Sequence, residues 1–225
     1  MGKVVVFANQ KGGVGKSTMA ILYANHLTGD EFDKSVLLVE FDIQKSITSQ
    51  RSNDIKALNS DEDMKYNVEY FMLKDFDDSV KVMEKFKSQT EATILIDLPG
   101  NITDNFVAPI LVLSDYIICP YQYETKVLES TTTFIKVIKS LRKKFPEEMQ
   151  TKLIFVPNKI DIRKGTRNDL ENQRMVDTVM RGYGEVTSKI PDRVDFERLT
   201  TYFNTQKQEE LCKPCFDGLD KLIFG

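Results

Sequence analysis

The 225-residue chain predicts an α/β domain built on a doubly wound, mostly parallel sheet flanked by helices. Three observations carry that prediction. Short runs of Val, Ile, Leu and Phe are apolar at nearly every position, the pattern of strands covered on both faces. Longer segments of helical period alternate with them, which implies right-handed crossovers and a parallel sheet. The first strand runs into a glycine-rich turn and then a helix, ANQKGGVGKSTMA over residues 8–20. In such sheets ligands bind at the carboxyl ends of the strands.

Taken in order, Lys3–Ala8 is the first strand and Lys16–Leu27 the first helix. Ser35–Glu40 and Ser46–Leu58 repeat the pair. Tyr66–Phe71 reads as an edge strand, followed by helix Phe76–Ser88. Then come strand Thr93–Asp97, helix Ile102–Leu113, strand Tyr116–Pro120, helix Lys126–Phe145, strand Lys152–Pro157 and helix Thr166–Arg181. Glu185–Ile190 is a weaker strand, and Asn204–Phe224 closes the chain as one helix or two. The polar, acid-rich stretch Asp54–Asp78 is where a mobile loop is expected. Nothing divides the pattern, so one domain over residues 1–225 is predicted.

Hydrophobic residues make up 41% and charged residues 29%, enough apolar side chain for a sizeable core. No apolar run reaches the roughly 18 residues that span a bilayer, and the first run is too short for a secretory signal. Three cysteines argue against a disulfide framework. These features point to a soluble cytoplasmic protein that is not held in a membrane. The net charge of −3 excludes a global basic field, so any nucleic-acid contact requires a local patch.

Residues 12–18 carry the chemistry. Gly12, Gly13 and Gly15 let the backbone curl until several N–H groups face one anion, and the helix beginning at Lys16 adds its positive end. Lys16 can reach the β and γ phosphates, and the Ser17 hydroxyl can bind Mg²⁺; Val14 and Thr18 complete the loop. A standard Walker A loop would have glycine at position 10, but Gln10 and a second lysine, Lys11, stand there. Ile94–Asp97 is an apolar strand ending in a carboxylate, the Walker B layout, which places Asp97 near Mg²⁺ through its water shell. Asp42 follows the second strand; the competing reading makes it a cap for helix Ser46–Leu58.

The stretch Lys11–Ser17 resembles the deviant Walker A motif of the ParA/MinD superfamily of P-loop NTPases, and the run Ala-Asn-Gln-Lys-Gly-Gly resembles its ParA partitioning branch. The resemblance implies that Lys11 reaches across to the nucleotide of a partner subunit, an arginine-finger role filled by a lysine. ATP would then drive a sandwich homodimer. Glu40-Phe41-Asp42-Ile43-Gln44 matches the family's D-x-D-x-Q, with Glu40 in place of the first aspartate. Asp42 is implied to position the attacking water and support Mg²⁺. Asn158 matches a residue that contacts adenine, and Ile190-Pro191 matches the pair before the loop that closes over the base. Asn158-Lys159-Ile160-Asp161 also reads as the guanine motif of small GTPases, but the order of elements is not theirs, so adenine is expected.

ParA relatives bind double-stranded DNA without sequence preference, answer to a ParB-like or centromere-binding partner and associate with the nucleoid. The implied function is an ATPase that segregates a plasmid, a chromosome or a mobile element. Arg167, Arg174 and Arg181, seven residues apart, form one helix stripe, which Arg163 extends. On that wheel Met175, Val176, Val179 and Met180 face the core, while Glu171 and Asp177 flank the stripe. Lys136, Lys139 and Lys143, with Arg142 and Lys144 beside them, form a second basic face. Two alternatives remain at this stage. A MinD-like positioning ATPase needs a basic amphipathic C-terminal helix, and an iron–sulfur carrier needs a C-x-x-C such as Cys212–Cys215. Cys119 reads as core, and His26 as a surface or half-buried helix residue without a partner.

Overall fold

The computed structural model describes residues 2–62, 64–89, 91–102, 104–161 and 165–225. In chain order the elements are β1 (Val4–Phe7), α1 (Lys16–Leu27), β2 (Val36–Glu40), α2 (Ser46–Leu58), β3 (Asn67–Tyr70), α3 (Phe76–Ser88), β4 (Thr93–Asp97), α4 (Val107–Leu113), β5 (Tyr116–Tyr121), α5 (Thr125–Lys144), β6 (Lys152–Pro157), α6 (Arg167–Arg181), β7 (Glu185–Val186) and α7 (Gln206–Phe224). A 3₁₀ turn at Val194–Glu197 precedes α7. The strands lie in the order β3-β2-β4-β1-β5-β6-β7, and every pairing is parallel.

Alternation along β1 divides the interior. Val4, Val6 and Ala8 join α3, α4, α5 and Met180 of α6 in one cluster. Val5 and Phe7 join α1, Ile47 of α2 and the apolar face of α7 in the other. Each fully buried Leu, Ile or Phe contributes about 1.5–3 kcal/mol. From β1 the chain runs to β2 on one side, whereas from the neighbouring β4 it runs to β5 on the other. This is a topological switch point, and the crevice above it is where a ligand binds in such sheets.

Most element boundaries agree with expectation, and three differ for physical reasons. α4 begins at Val107, not Ile102, because Pro109 lacks an N–H and is tolerated only in a helix's first turn. β7 pairs over two residues; beyond it the Thr187 and Ile190 N–H groups still donate to the Phe155 and Pro157 carbonyls of β6, and Pro191 bridges to Ile160. The expected loop at Asp54–Asp78 contains the end of α2 and β3. Asp54 itself is buried, accepting bonds from the Thr201 N–H and hydroxyl, both at 2.7 Å.

α1 is buried on nearly all sides: ten of its twelve residues are buried, so it has no solvated face. The chain's sole histidine is therefore not the surface or half-buried residue without a partner that the sequence suggests. His26 is buried, with Nδ1 3.1 Å from Glu209 Oε2 and Nε2 2.9 Å from Asp220 Oδ2, both on α7. Burial alone would lower its pKa, but the hydrogen bonds to Asp220 and Glu209 prevail and raise it from 6.5 to about 9. A raised folded-state pKa means the stabilisation is complete below the unfolded value and is lost as pH rises through the folded one. At pH 7, His26→Gln is expected to cost up to about 3 kcal/mol. The gap between variant and parent in denaturant midpoint should shrink by more than half between pH 7 and 10. A gap that does not change with pH would remove the charged pairing.

Candidate nucleotide-binding site

The phosphate loop leaves β1 at the switch point. Asn9, fully buried, anchors its start: Nδ2 donates to Pro120 O (2.7 Å) and Thr131 Oγ1 (3.0 Å), while Oδ1 accepts from the Lys11 N–H (3.2 Å). Gly13 and Gly15 have φ of 77° and 93°, conformations that side chains rarely adopt. A Cβ on Gly15 would also collide with Asn158 Nδ2. α1 then begins at Lys16 with its N-terminal amides and positive dipole end at the loop.

Lys16 is buried, and burial lowers its pKa against the pull of Asp97 and Asp42. Ser17 Oγ donates to Asp97 Oδ2 at 2.6 Å. Asp97 ends β4 in register with both Phe7 and Glu40. Burial raises its pKa to about 7, although the Ser17 bond and Lys16 pull the other way. Its Oδ1 is buried without a hydrogen-bond partner among the described residues. An orphaned carboxylate oxygen beside a hydroxyl is a donor set suited to a hard cation such as Mg²⁺, so the residues present fit that ion.

Asp42 lines the same cavity as Lys16 and does not cap α2. Glu40 does: it is fully buried, and its carboxylate accepts from the Ile47 and Thr48 N–H groups, each at 2.9 Å. It also accepts from Thr48 Oγ1 at 2.7 Å and Ser46 Oγ at 3.2 Å. The longer arm at position 40 thus satisfies the orphan amides at the start of α2. Asp42 is left to line the cavity, and among the described residues its Oδ1 accepts the local N–H of Gln44 at 3.0 Å.

This cavity has a volume of about 670 Å³ and gathers Gly12, Gly13, Gly15, Lys16, Ser17, Thr18 and Asp42 against Gln44, Pro99 and Gly100. A second one of about 370 Å³ adjoins it at Thr18 and Lys159 and is lined by Met19, Leu22, Asn158, Ile190, Arg193 and Phe196. Val14 is buried, and its carbonyl accepts from Asn158 Nδ2 at 2.8 Å. Pro191 lines neither cavity; its bridge to Ile160 sets the start of the loop carrying Arg193. Asp161 lines a separate cavity, of about 540 Å³. Lys11 is exposed outside the phosphate cavity, and its side chain makes no hydrogen bond or ion pair among the described residues.

The profile of the CobQ/CobB/MinD/ParA nucleotide binding domain matches residues 5–204. The chain belongs to this family. No curated protein matches it in sequence. Among solved structures, this MinD/ParA-family chain is similar to a putative plasmid partition protein of Borrelia burgdorferi bound to AMPPNP, with 22% identity, 99% of both chains covered and a TM-score of 0.71. It is also similar to MinD in a MinC:MinD complex from Aquifex aeolicus, with 17% identity, 100% of this chain and 96% of that one covered, and a TM-score of 0.69. A third is pNOB8 ParA bound to nonspecific DNA, with 16% identity, 98% and 99% covered, and a TM-score of 0.60.

In this family member the arginine stripe is partly as expected. Arg167, Arg174 and Arg181 are exposed along α6, and Arg167 pairs with Glu171 at 3.4 Å. Arg163 lies outside the described residues. The opposite face needs correction: Met175 and Val179 are each 59% exposed, whereas Asp177 is buried. Tyr121 and Tyr123 donate their hydroxyls to Asp177 Oδ1 at 2.5 and 2.7 Å, a satisfied polar contact that turns the helix by about a quarter. In the second basic set, Arg142 is spent on the Thr151 carbonyl at 3.0 Å. Lys139 lies 5.6 Å from the centre of the Tyr183 ring, just past the end of α6.

Sequence reading missed Asn9 and Lys159 as parts of the site. Asn9 belongs to the Ala-Asn-Gln-Lys-Gly-Gly run, but nothing there signals that its side chain anchors the loop. Lys159 sits in an N-K-x-D string whose usual reading concerns the base, whereas its ammonium is on the phosphate loop.

Proposed function

We propose that this family member is a ParA-type partitioning ATPase. ATP draws two copies into a sandwich dimer, the dimer binds double-stranded DNA without sequence preference, and hydrolysis releases it. The observation that carries the reading is Lys11, an exposed lysine whose side chain has no bond among the described residues, beside an assembled phosphate site. A charge so placed serves its own loop poorly and a facing subunit well. Lys16, the amides at the start of α1 and Lys11 from the partner stabilise charge developing on the γ-phosphate. Asp42 orients the attacking water. Ser17, Asp97 and Asp42 would hold Mg²⁺, which supplies charge neutralisation on the phosphates.

The base is read as adenine. Asn158 borders the pocket next to the phosphate site, while Asp161, which a guanine reader would need there, lines a different cavity. Two observations speak against the rival functions. The apolar face of α7 (Cys212, Cys215, Phe216, Leu219, Ile223) is spent on the core, so this helix is not free to lie in a membrane. Burial raises both thiols, Cys215 to about 12, which suits core residues and not cluster ligands.

DNA is assigned to the stripe Arg167, Arg174 and Arg181, with the Lys136–Lys139–Lys143 face adjoining it. The partner that stimulates turnover is ParB-like, and the protein works on the nucleoid. Arg174→Glu is expected to weaken ATP-dependent binding to a random-sequence duplex at least about tenfold and to flatten its salt dependence. Nucleotide affinity should stay within about twofold, because Arg174 lines neither cavity. Filter binding across a salt series with Mg-ATP or Mg-ADP checks this. Equal affinity with both nucleotides, or none in the parent, would defeat the DNA assignment.

A further inference from the structure

We infer that Lys159 is a positioning residue for the nucleotide, the member of the site that ties the base pocket to the phosphate loop. This deepens the ATPase reading and rests on it. Lys159 Nζ donates to the Gly13 carbonyl at 2.9 Å, and its neighbour Asn158 donates to the next carbonyl, Val14, at 2.8 Å. A loop whose N–H groups face an anion turns carbonyls outward, and outward carbonyls need donors. Two consecutive residues after β6 supply them.

The geometry of Lys159 is not that of a chance surface contact. Its backbone has φ of 54°, a left-handed conformation that costs a non-glycine residue free energy and persists only where surroundings enforce it. Its stem passes close to Gly15, where a Cβ would sit 3.8 Å from Cε. It borders both the phosphate cavity and the base pocket. The ammonium therefore neutralises the outer side of the loop while the loop's inner side meets phosphate. With the clamp in place, a base held by the segment after β6 and phosphates held by the segment after β1 belong to one rigid frame. Without it, ordering the loop would fall to the ligand itself.

The test measures mant-ADP and mant-ATP affinity, steady-state ATP turnover and melting temperature for the parent, Lys159→Met and Lys159→Arg. Lys159→Met is expected to weaken both nucleotides equally, by roughly tenfold to a hundredfold. KM should rise in parallel while kcat at saturation stays within about threefold, because the clamp acts on binding and not on the γ-phosphate. Lys159→Arg, which keeps a donor cation, should recover most of the affinity, and neither change should move the melting point of the nucleotide-free chain appreciably. Affinity within threefold of the parent in Lys159→Met, a loss confined to kcat, or no recovery with arginine would overturn the inference. A parent chain that binds neither nucleotide would instead remove the ATPase reading on which it rests.

Discussion

Lys11→Ala is expected to lower ATP turnover at least about 10³-fold, the scale of a charge supplied in trans to phosphoryl transfer. ADP affinity should change by no more than about threefold. The asymmetry follows from where Lys11 sits. Lys16 is buried in its own site, within the field of Asp97 and Asp42, and on the proposed reading it serves a nucleotide held by its own chain. Lys11 is exposed, outside the cavity, and fixed there through its backbone N–H on Asn9. On the proposed reading its charge gains a phosphate partner when a second subunit closes over it, and that anion offsets the desolvation. Light scattering with a non-hydrolysable ATP analogue should accordingly find dimers for the parent and monomers for Lys11→Ala. Full turnover in the variant would eliminate the trans-lysine mechanism.

Glu40→Ala should lower stability by about 3 kcal/mol, a fall of roughly 6–12 °C in melting temperature for a chain of this size. The carboxylate is buried and holds the first amides of α2. Removing it leaves the Ile47 and Thr48 N–H groups without their acceptors, each a cost of about 1–3 kcal/mol. Some of that is offset, because Glu40 also raises the pKa of Asp97 by like-charge repulsion. Glu40→Gln, which keeps one acceptor oxygen, should lose about half as much. Calorimetry that found less than about 1 kcal/mol for Glu40→Ala would mean the cap is not what holds α2.

The sequence makes the sheet and the phosphate loop legible because both depend on local rules. Continuous apolar runs specify buried strands, and three glycines before Lys16 specify a cradle. What it hides depends on partners distant in the chain. Whether Glu40 or Asp42 caps α2 turns on side-chain reach, which motif spacing does not encode. A helical wheel places Met175 and Val179 inward, since apolar residues are expected in the core. The bonds from Tyr121 and Tyr123 to Asp177 outweigh that preference. His26 shows no motif because its two carboxylates lie more than 180 residues away. Lys159 is visible as part of a string, yet the atom it serves, the Gly13 carbonyl, is 146 residues earlier.

The burial of α1 has a mechanical consequence. A helix gripped by the sheet on one side and by α7 on the other cannot slide or tilt without opening the core. The phosphate cradle at its tip therefore behaves as a fixed jaw. The opposing jaw is Asp42–Gln44 together with Pro99 and Gly100. It is backed by loop, with Ile43 80% exposed, and can change shape at little cost. Any change of shape in the site is therefore expected in that second jaw, next to Glu40 and the start of α2, and not in the helix that carries the phosphate loop.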